Sequence, residues 1–362
     1  MSHSPKVAFL YSGGRKQRIE RISKKLAADD FLYGAVQFVE RGIDTAIVET
    51  SDILPAPIVK RIGDFLFKRK LLPHKVNGDV LASVYRVLPQ LEAADVVIVA
   101  GTPLALALVF FKKLGLIKCR IVGIHAGIFN YSQNYFQTLQ LRSFLRGHRL
   151  VLFGDGEVDP LRELLGDIGK WSVNECGTDV RFWTPNGVVG DYILSVGNDS
   201  QRDFELLVRV AERLDRKVKI ITRKPIDGRI PANVELINGD VRKEIISDAD
   251  LREYYRRAVC VVIPLKDSHQ PSGQSVCLQA MACGRPVILT ETQGLWSKKL
   301  IRDGENILLV RPDDDDAMIR AINQLLGSKP MCEAIGASGR ATVLSNWNMS
   351  LWSARLAQFA LS

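Results

Sequence analysis

The sequence predicts an α/β protein of two domains, each a doubly wound parallel sheet flanked by helices, with a cleft between them. Three observations predict it. The chain has 362 residues, room for about two domains of ordinary size. Short apolar runs alternate with stretches of helical periodicity along its length. The alternation halts at 179–191, DVRFWTPNGVVGD, where turn formers mix with aromatics, and then restarts.

In the first half, residues 6–11 read as an apolar strand. A long helical stretch follows, carrying Ile19, Ile22, Leu26, Phe31, Ala35, Phe38 and Val39 at helical spacings. A second strand is expected at 45–48. Residues 95–100 and 120–124 have the continuous apolar character of strands covered on both faces, with a helix over 102–113 between them, and 150–153 is one more strand. In the second half, strands fall at 192–196, 218–222, 234–237, 259–264, 286–289 and 307–310, with helices at 203–214, 251–257 and 276–282. Three helices, 313–326, 331–344 and 349–361, close the chain. The expected domains are 1–183 and 184–345, with a terminal helix over 346–362.

With 46% apolar and 25% charged residues, the composition is that of a soluble globular protein. The sequence has no apolar run of the ~20 residues that a transmembrane helix needs. Its short polar start lacks the pattern of a secretory signal. The six cysteines are scattered, with no CxxC pair, and read as free thiols of a reducing cytoplasm. Residues 1–183 carry 25 Lys and Arg against 18 Asp and Glu, and 184–362 carry 24 against 22, so most of the net charge of +9 lies in the first half. That half is expected to meet something anionic.

The strongest chemical signal is 271–287, PSGQSVCLQAMACGRPV. A loop with Ser272 and Gly273 opens a helix. The amides of Gly273, Gln274, Ser275 and Val276 at that helix start would face a diphosphate. Ser272 and Ser275 add hydroxyls, and Gln279 lies one turn on, on the same face, within reach of a ribose hydroxyl. An ordinary capped helix is the alternative reading of the same spacing.

This segment resembles the signature of the retaining glycosyltransferases of family four, which share the GT-B fold. Gln279-Ala280-Met281-Ala282-Cys283-Gly284-Arg285-Pro286-Val287 is similar to the end of that signature. Cys176-Gly177-Thr178-Asp179 with Phe182 and Pro185 resembles the family's linker, and Ser195-Val196-Gly197 the start of its second domain. Arg302-Asp303-Gly304-Glu305-Asn306 with Leu308-Leu309-Val310 resembles a further family motif. The two glutamates of the family signature are replaced here by Pro271 and Gln279.

The resemblance implies a GT-B fold of two Rossmann-like domains, 1–183 binding the acceptor and 184–345 the nucleotide sugar, with the helix of 346–362 crossing back to the first domain. It also implies transfer of a sugar from a UDP-, GDP- or similar nucleotide sugar to the hydroxyl of a carbohydrate or lipid-linked acceptor, without a cofactor or metal. Gly197 precedes Asn198, where relatives place an arginine. Arg202 is therefore assigned to the diphosphate, with Arg223 or Lys224 after the next strand in reserve, because a guanidinium fork suits phosphate. Gly13 and Gly14, in Ser12-Gly13-Gly14-Arg15 after the first strand, are expected to approach the donor phosphates. His125, closing a strand, is expected to meet the donor sugar as the catalytic candidate. Asp313–Asp316 reads as a helix start and not as a metal site.

Residues 58–72, IVKRIGDFLFKRKLL, form a basic amphipathic helix that would dock on an anionic membrane or pack on the core. A cytoplasmic chain working at the inner membrane face in glycan or glycolipid assembly is the expectation. A sugar-nucleotide epimerase or hydrolase on the same fold is the alternative within enzymes. A non-catalytic membrane or nucleic-acid binder is the alternative outside them, and the sequence lacks the basic–aromatic interleaving of a nucleic-acid surface.

Overall fold

The computed structural model describes residues 5–52, 56–125, 128, 135–166, 170–239 and 245–362. The chain clusters into two compact units. The first comprises 1–20, 31–175 and 352–362, the second 21–30 and 176–351.

The first unit is built on six parallel strands: β1 (Val7–Tyr11), β2 (Thr45–Glu49), β3 (Val96–Ala100), β4 (Arg120–His125), β5 (Arg149–Leu152) and β6 (Trp171–Val173). Their order is β2-β1-β3-β4-β5-β6. The second unit has β7 (Tyr192–Val196), β8 (Lys217–Thr222), β9 (Val234–Asn238), β10 (Ala258–Ile263), β11 (Val287–Thr290) and β12 (Leu308–Val310) in the order β12-β11-β10-β7-β8-β9, again all parallel. Both sheets reverse their winding direction once, between β1 and β3 and between β7 and β10. At such a switch point the loops leaving two neighbouring strands diverge and leave a crevice at the strands' carboxyl ends.

The continuous apolar runs follow from burial on both faces. In the second unit, Leu194, Val261, Ile263 and Leu289 enter one core cluster, while Ile193, Cys260, Val262 and Ile288 enter the cluster on the opposite face. That is the period-two alternation of a strand. All six cysteines are free thiols, as expected.

Three expectations need correction. The single long helix after β1 is two helices, Arg15–Ser23 and Ala35–Glu40. Between them Lys25, Tyr33 and Gly34 take left-handed backbone, which no helix accommodates, and Asp29 and Asp30 are buried. The main segment of the second unit begins at Cys176 and not at 184, with Phe182 and Trp183 in its core, and residues 21–30 join it. The helix Met349–Leu361 is divided at Trp352, where its remainder joins the first unit. There Asn174 donates to the Trp352 carbonyl at 3.0 Å and Arg120 donates to the Ala360 carbonyl at 2.9 Å. The helix Gly78–Leu91, which the sequence reading passed over, is capped by Asn77 and carries Leu81, Val84, Leu88 and Leu91 inward. Its Gly78 and Pro89 disguise it.

The helices Gln274–Ala282 and Lys329–Asn346 pack so closely that a Cβ on Gly336 would collide with the Gly284 carbonyl oxygen. Gly336→Ala is expected to cost about 1–3 kcal/mol through overpacking. Urea unfolding checks this, and an unchanged midpoint would show that the pair of helices yields.

Candidate functional site

Four of the donor-site candidates, Gly197, Arg202, Ser272 and Gly273, meet at the switch point of the second unit. The loop leaving β7 carries Gly197 and Arg202, and the loop leaving β10 carries Ser272 and Gly273. The two loops pair through their backbones: Asp203 N donates to the Pro264 carbonyl at 3.0 Å and Lys266 N donates to Gln201 O at 2.8 Å. The pairing holds Arg202 beside the exit of β10. The residue is 2% exposed, and Nε lies 2.9 Å from Asp199 Oδ2. A Cβ on Gly197 would collide with this guanidinium, and one on Gly273 would stand 3.2 Å from its Nη1. Gly197 is therefore required for the arginine to lie where it does, and Gly273 is required by its own left-handed backbone, φ 82°.

Nη1 of Arg202 has no hydrogen-bond partner, and neither has the buried Oγ of Ser272. Gly273, at φ 82°, caps Gln274–Ala282 without a side-chain hydrogen bond. Thus a buried guanidinium N–H, a buried hydroxyl and an uncapped helix start converge. A buried donor left unpaired costs ~1–3 kcal/mol, so the arrangement favours an anion with several oxygens. Lys224 Nζ donates to the Arg202 carbonyl at 3.2 Å, and Arg223 N donates to Asn198 Oδ1 at 2.7 Å. Asn198 therefore organises the loop after β8 and leaves the cationic role to Arg202.

Three predicted side-chain contacts, Gln279, His125 and Gln274, are otherwise engaged. Gln279 is buried, with Oε1 accepting from the Tyr255 hydroxyl at 3.2 Å and Nε2 donating to Asp30 at 2.8 Å, so neither end reaches a ribose. In the first unit, Gly13 packs on Ser51, where a Cβ would stand 2.6 Å from Oγ. The helix after the Gly13-Gly14 loop is already occupied at its start by Glu49, whose carboxylate accepts from the amides of Arg15 and Lys16. A phosphate there would share the helix start with this carboxylate, while Gly14, at φ 75°, has nothing within 4 Å on its Cβ side. His125 is wholly buried. Its Nδ1 faces Thr102 Oγ1 at 3.1 Å and its Nε2 faces His148 Nε2 at 2.8 Å, so the ring does not reach a substrate. Gln274 is also turned inward, accepting from Cys176 N at 3.0 Å, while its backbone keeps its place at the helix start.

Sequence reasoning missed Asp30. It lies in the 21–30 segment that joins the second unit, and it accepts from Trp183 Nε1 and Gln279 Nε2, both at 2.8 Å, from Thr178 Oγ1 at 3.3 Å and from Asp179 N. Burial pushes its carboxyl up to about 6, against the opposing effect of these donors. The Asp29-Asp30 pair, set among apolar residues, was the only signal. Asp314 caps the helix Asp315–Leu326, and Arg209 and Arg213 pair with Asp315 and Asp316, which is the helix-start reading of the acidic run. Among the described residues no cluster of His, Cys, Asp and Glu could hold a metal ion.

Residues 190–328 match the family described as Glycosyl transferases group 1. The chain is 33% identical over 98 residues to a D-inositol 3-phosphate glycosyltransferase of Acidothermus cellulolyticus, 27% of this chain and 21% of that one. It is 35% identical over 83 residues to a GDP-mannose-dependent α-(1-6)-phosphatidylinositol monomannoside mannosyltransferase of Mycolicibacterium smegmatis, 23% of this chain and 21% of that one. The chain thus matches about a fifth of the length of these relatives. Sucrose-phosphate synthase of Thermosynechococcus elongatus superposes with a TM-score of 0.72 at 16% identity, over 99% of this chain and 100% of that one. Anabaena Alr3699/HepE with UDP and glucose superposes with a TM-score of 0.69 at 12% identity, over 99% and 100%. The fold is GT-B.

A folded-state value of about 6 for Asp30, against an unfolded value near 3.9, means the folded protein holds this proton more tightly. Its contribution to stability is complete below about pH 4 and is lost as pH rises through about 6, for a total of ~3 kcal/mol. Asp30→Asn should remove that component of the pH dependence of urea unfolding between pH 4 and 7. Identical slopes in both proteins would contradict the assignment.

Proposed function

We propose that this chain, with a group 1 glycosyl transferase match over residues 190–328 on a GT-B fold, moves a sugar from a nucleoside-diphosphate sugar to an acceptor hydroxyl. One observation carries the reading: the unpartnered Nη1 of buried Arg202 beside Ser272 Oγ and the uncapped start of Gln274–Ala282. In this reading the diphosphate accepts from Arg202, from Ser272 and from the amides of Gln274, Ser275 and Val276. These donors are fixed before the donor sugar arrives, so they stabilise the charge that grows on the leaving diphosphate at little reorganisation cost. The arginine and amides supply the positive charge, which fits a reaction that runs without a metal.

Retention of configuration fits the family resemblance. Gln279 and Pro271 in place of its acids leave no side-chain carboxylate at those positions, so the leaving phosphate is proposed as the group that assists the acceptor hydroxyl. HepE, which has been solved with UDP and glucose, and the mannosyltransferase named for GDP-mannose support a nucleotide sugar as donor.

The second element of the proposal is a membrane-adjacent acceptor. The helix Pro57–Lys68 leaves Ile58, Ile62 and Phe65 exposed, at 72%, 54% and 56%, on one face beside Arg61, Lys68 and Arg69. An exposed apolar stripe rimmed by cations matches an anionic lipid surface. Among the described residues no helix is long and apolar enough to cross a membrane, so the proposed contact is peripheral, at the inner face.

Two measurements test these readings. Arg202→Ala should weaken UDP or GDP binding by calorimetry at least tenfold, the loss of one charged hydrogen bond of ~1.5–3 kcal/mol. Unchanged affinity for every nucleoside diphosphate would end the donor-site reading. Ile62→Glu with Phe65→Glu should abolish sedimentation with vesicles containing phosphatidylglycerol while leaving nucleotide affinity intact. Equal sedimentation of both proteins would reject the membrane contact.

A further inference from the structure

The first unit holds a cavity of about 250 Å³ at its own switch point, walled by Tyr11, Arg15, Tyr33, Thr102 and Phe153 with neighbouring backbone. Two observations mark it as built for a ligand. Tyr33 and Lys75 both line it with left-handed backbone, φ 46° and 74°, a state that costs a bulky residue energy and clusters at functional sites. Gly101 lines it at φ 119°, and a Cβ placed there meets nothing within 4 Å, so bare backbone faces open space.

The polarity of Thr102 in this wall can be derived. Behind it runs a buried chain: Thr102 Oγ1 to His125 Nδ1 at 3.1 Å, His125 Nε2 to His148 Nε2 at 2.8 Å, and His148 Nδ1 to the Phe144 carbonyl at 3.2 Å. A carbonyl only accepts, so His148 carries its proton on Nδ1. Its Nε2 is then a lone pair, and His125 donates from Nε2. His125 Nδ1 is in turn a lone pair, and the Thr102 hydroxyl donates its single proton to it. Burial keeps both rings neutral, holding His125 well below the usual imidazole range and His148 at about 4. The chain ends on a carbonyl, which cannot take a proton onward, so it orients groups and does not relay protons.

We propose that Thr102 is the specificity-determining contact of this cavity, an oxygen restricted to accepting hydrogen bonds, which selects a polyhydroxylated ligand with one hydroxyl directed at it. His125 and His148 are positioning residues that fix this polarity. A site built to accept from a hydroxyl rejects the analogue that lacks it, because the lone pair is then left unpaired. That this ligand is the acceptor substrate rests on the sugar-transfer reading, whereas the polarity of Thr102 does not.

The test uses the intact chain without donor. Saturation-transfer NMR with D-glucose and each of its monodeoxy derivatives should show that glucose binds and that one derivative binds about tenfold more weakly. Thr102→Val should bind glucose and that derivative equally, and Thr102→Ser should restore the difference. Spectra of the ¹⁵N-histidine-labelled chain should place protons on Nε2 of His125 and Nδ1 of His148. A proton on His125 Nδ1, undiminished discrimination in Thr102→Val, or no glucose binding would overturn the proposal. UDP affinity is measured alongside: its absence together with Thr102-dependent discrimination would defeat the transfer reading and leave this one standing.

Discussion

The second unit is organised around the buried carboxylate of Asp30. Four donors from two other stretches of chain, the 178–183 segment and the helix Gln274–Ala282, close on its two oxygens. A carboxylate taken out of water is tolerated only with such partners. The same requirement builds the segment 21–30 into the second unit, far in sequence from the rest of it. It also sets the chemistry of position 279. An amide there donates to Asp30 and accepts from Tyr255, whereas a second carboxylate would repel the first. The departure of Gln279 from the family pattern is thus matched by a neighbour that needs a donor. The helix that carries Gln279 is the one whose start forms the candidate anion site.

The two units treat the same topological position differently. Each places a helix start at the switch point of a parallel sheet. In the first unit Glu49 fills it, satisfying the leading amides of Arg15–Ser23. In the second, Gly273 leaves it uncapped and Arg202 adds a cation. The second crevice thus offers a buried guanidinium and an open helix start, whereas the first is lined by Arg15 and Lys75 together with Tyr11, Tyr33 and Phe153.

Polar atoms without partners are rare in folded proteins, and each needs an explanation. Nη1 of Arg202 and Oγ of Ser272 are buried, unpartnered and beside the same helix start. The backbone pairing of their loops holds them there, and Gly197 and Gly273 supply the room. A ligand that satisfied both atoms would recover what the folded chain forgoes.

Much of this was legible in the sequence. Strand positions followed from continuous apolar runs, because a parallel sheet covered on both faces leaves no polar alternation to misread. Gly197, Arg202, Ser272 and Gly273 could be named because they lie in loops that leave strands at their carboxyl ends, where such folds place ligands. Spacing along the chain could not show which way a side chain turns. His125 and Gln279 lie where a ligand contact was expected, yet each spends both polar atoms on neighbours distant in sequence, His148 and Thr102 for the one, Tyr255 and Asp30 for the other. Glu49, from a different strand, accepts from the helix start after the Gly13-Gly14 loop. The sequence by itself determined the elements, their alternation and the loops that could carry chemistry. Only the tertiary structure decided which polar groups are already satisfied, because a hydrogen bond depends on distance in space and not on separation along the chain.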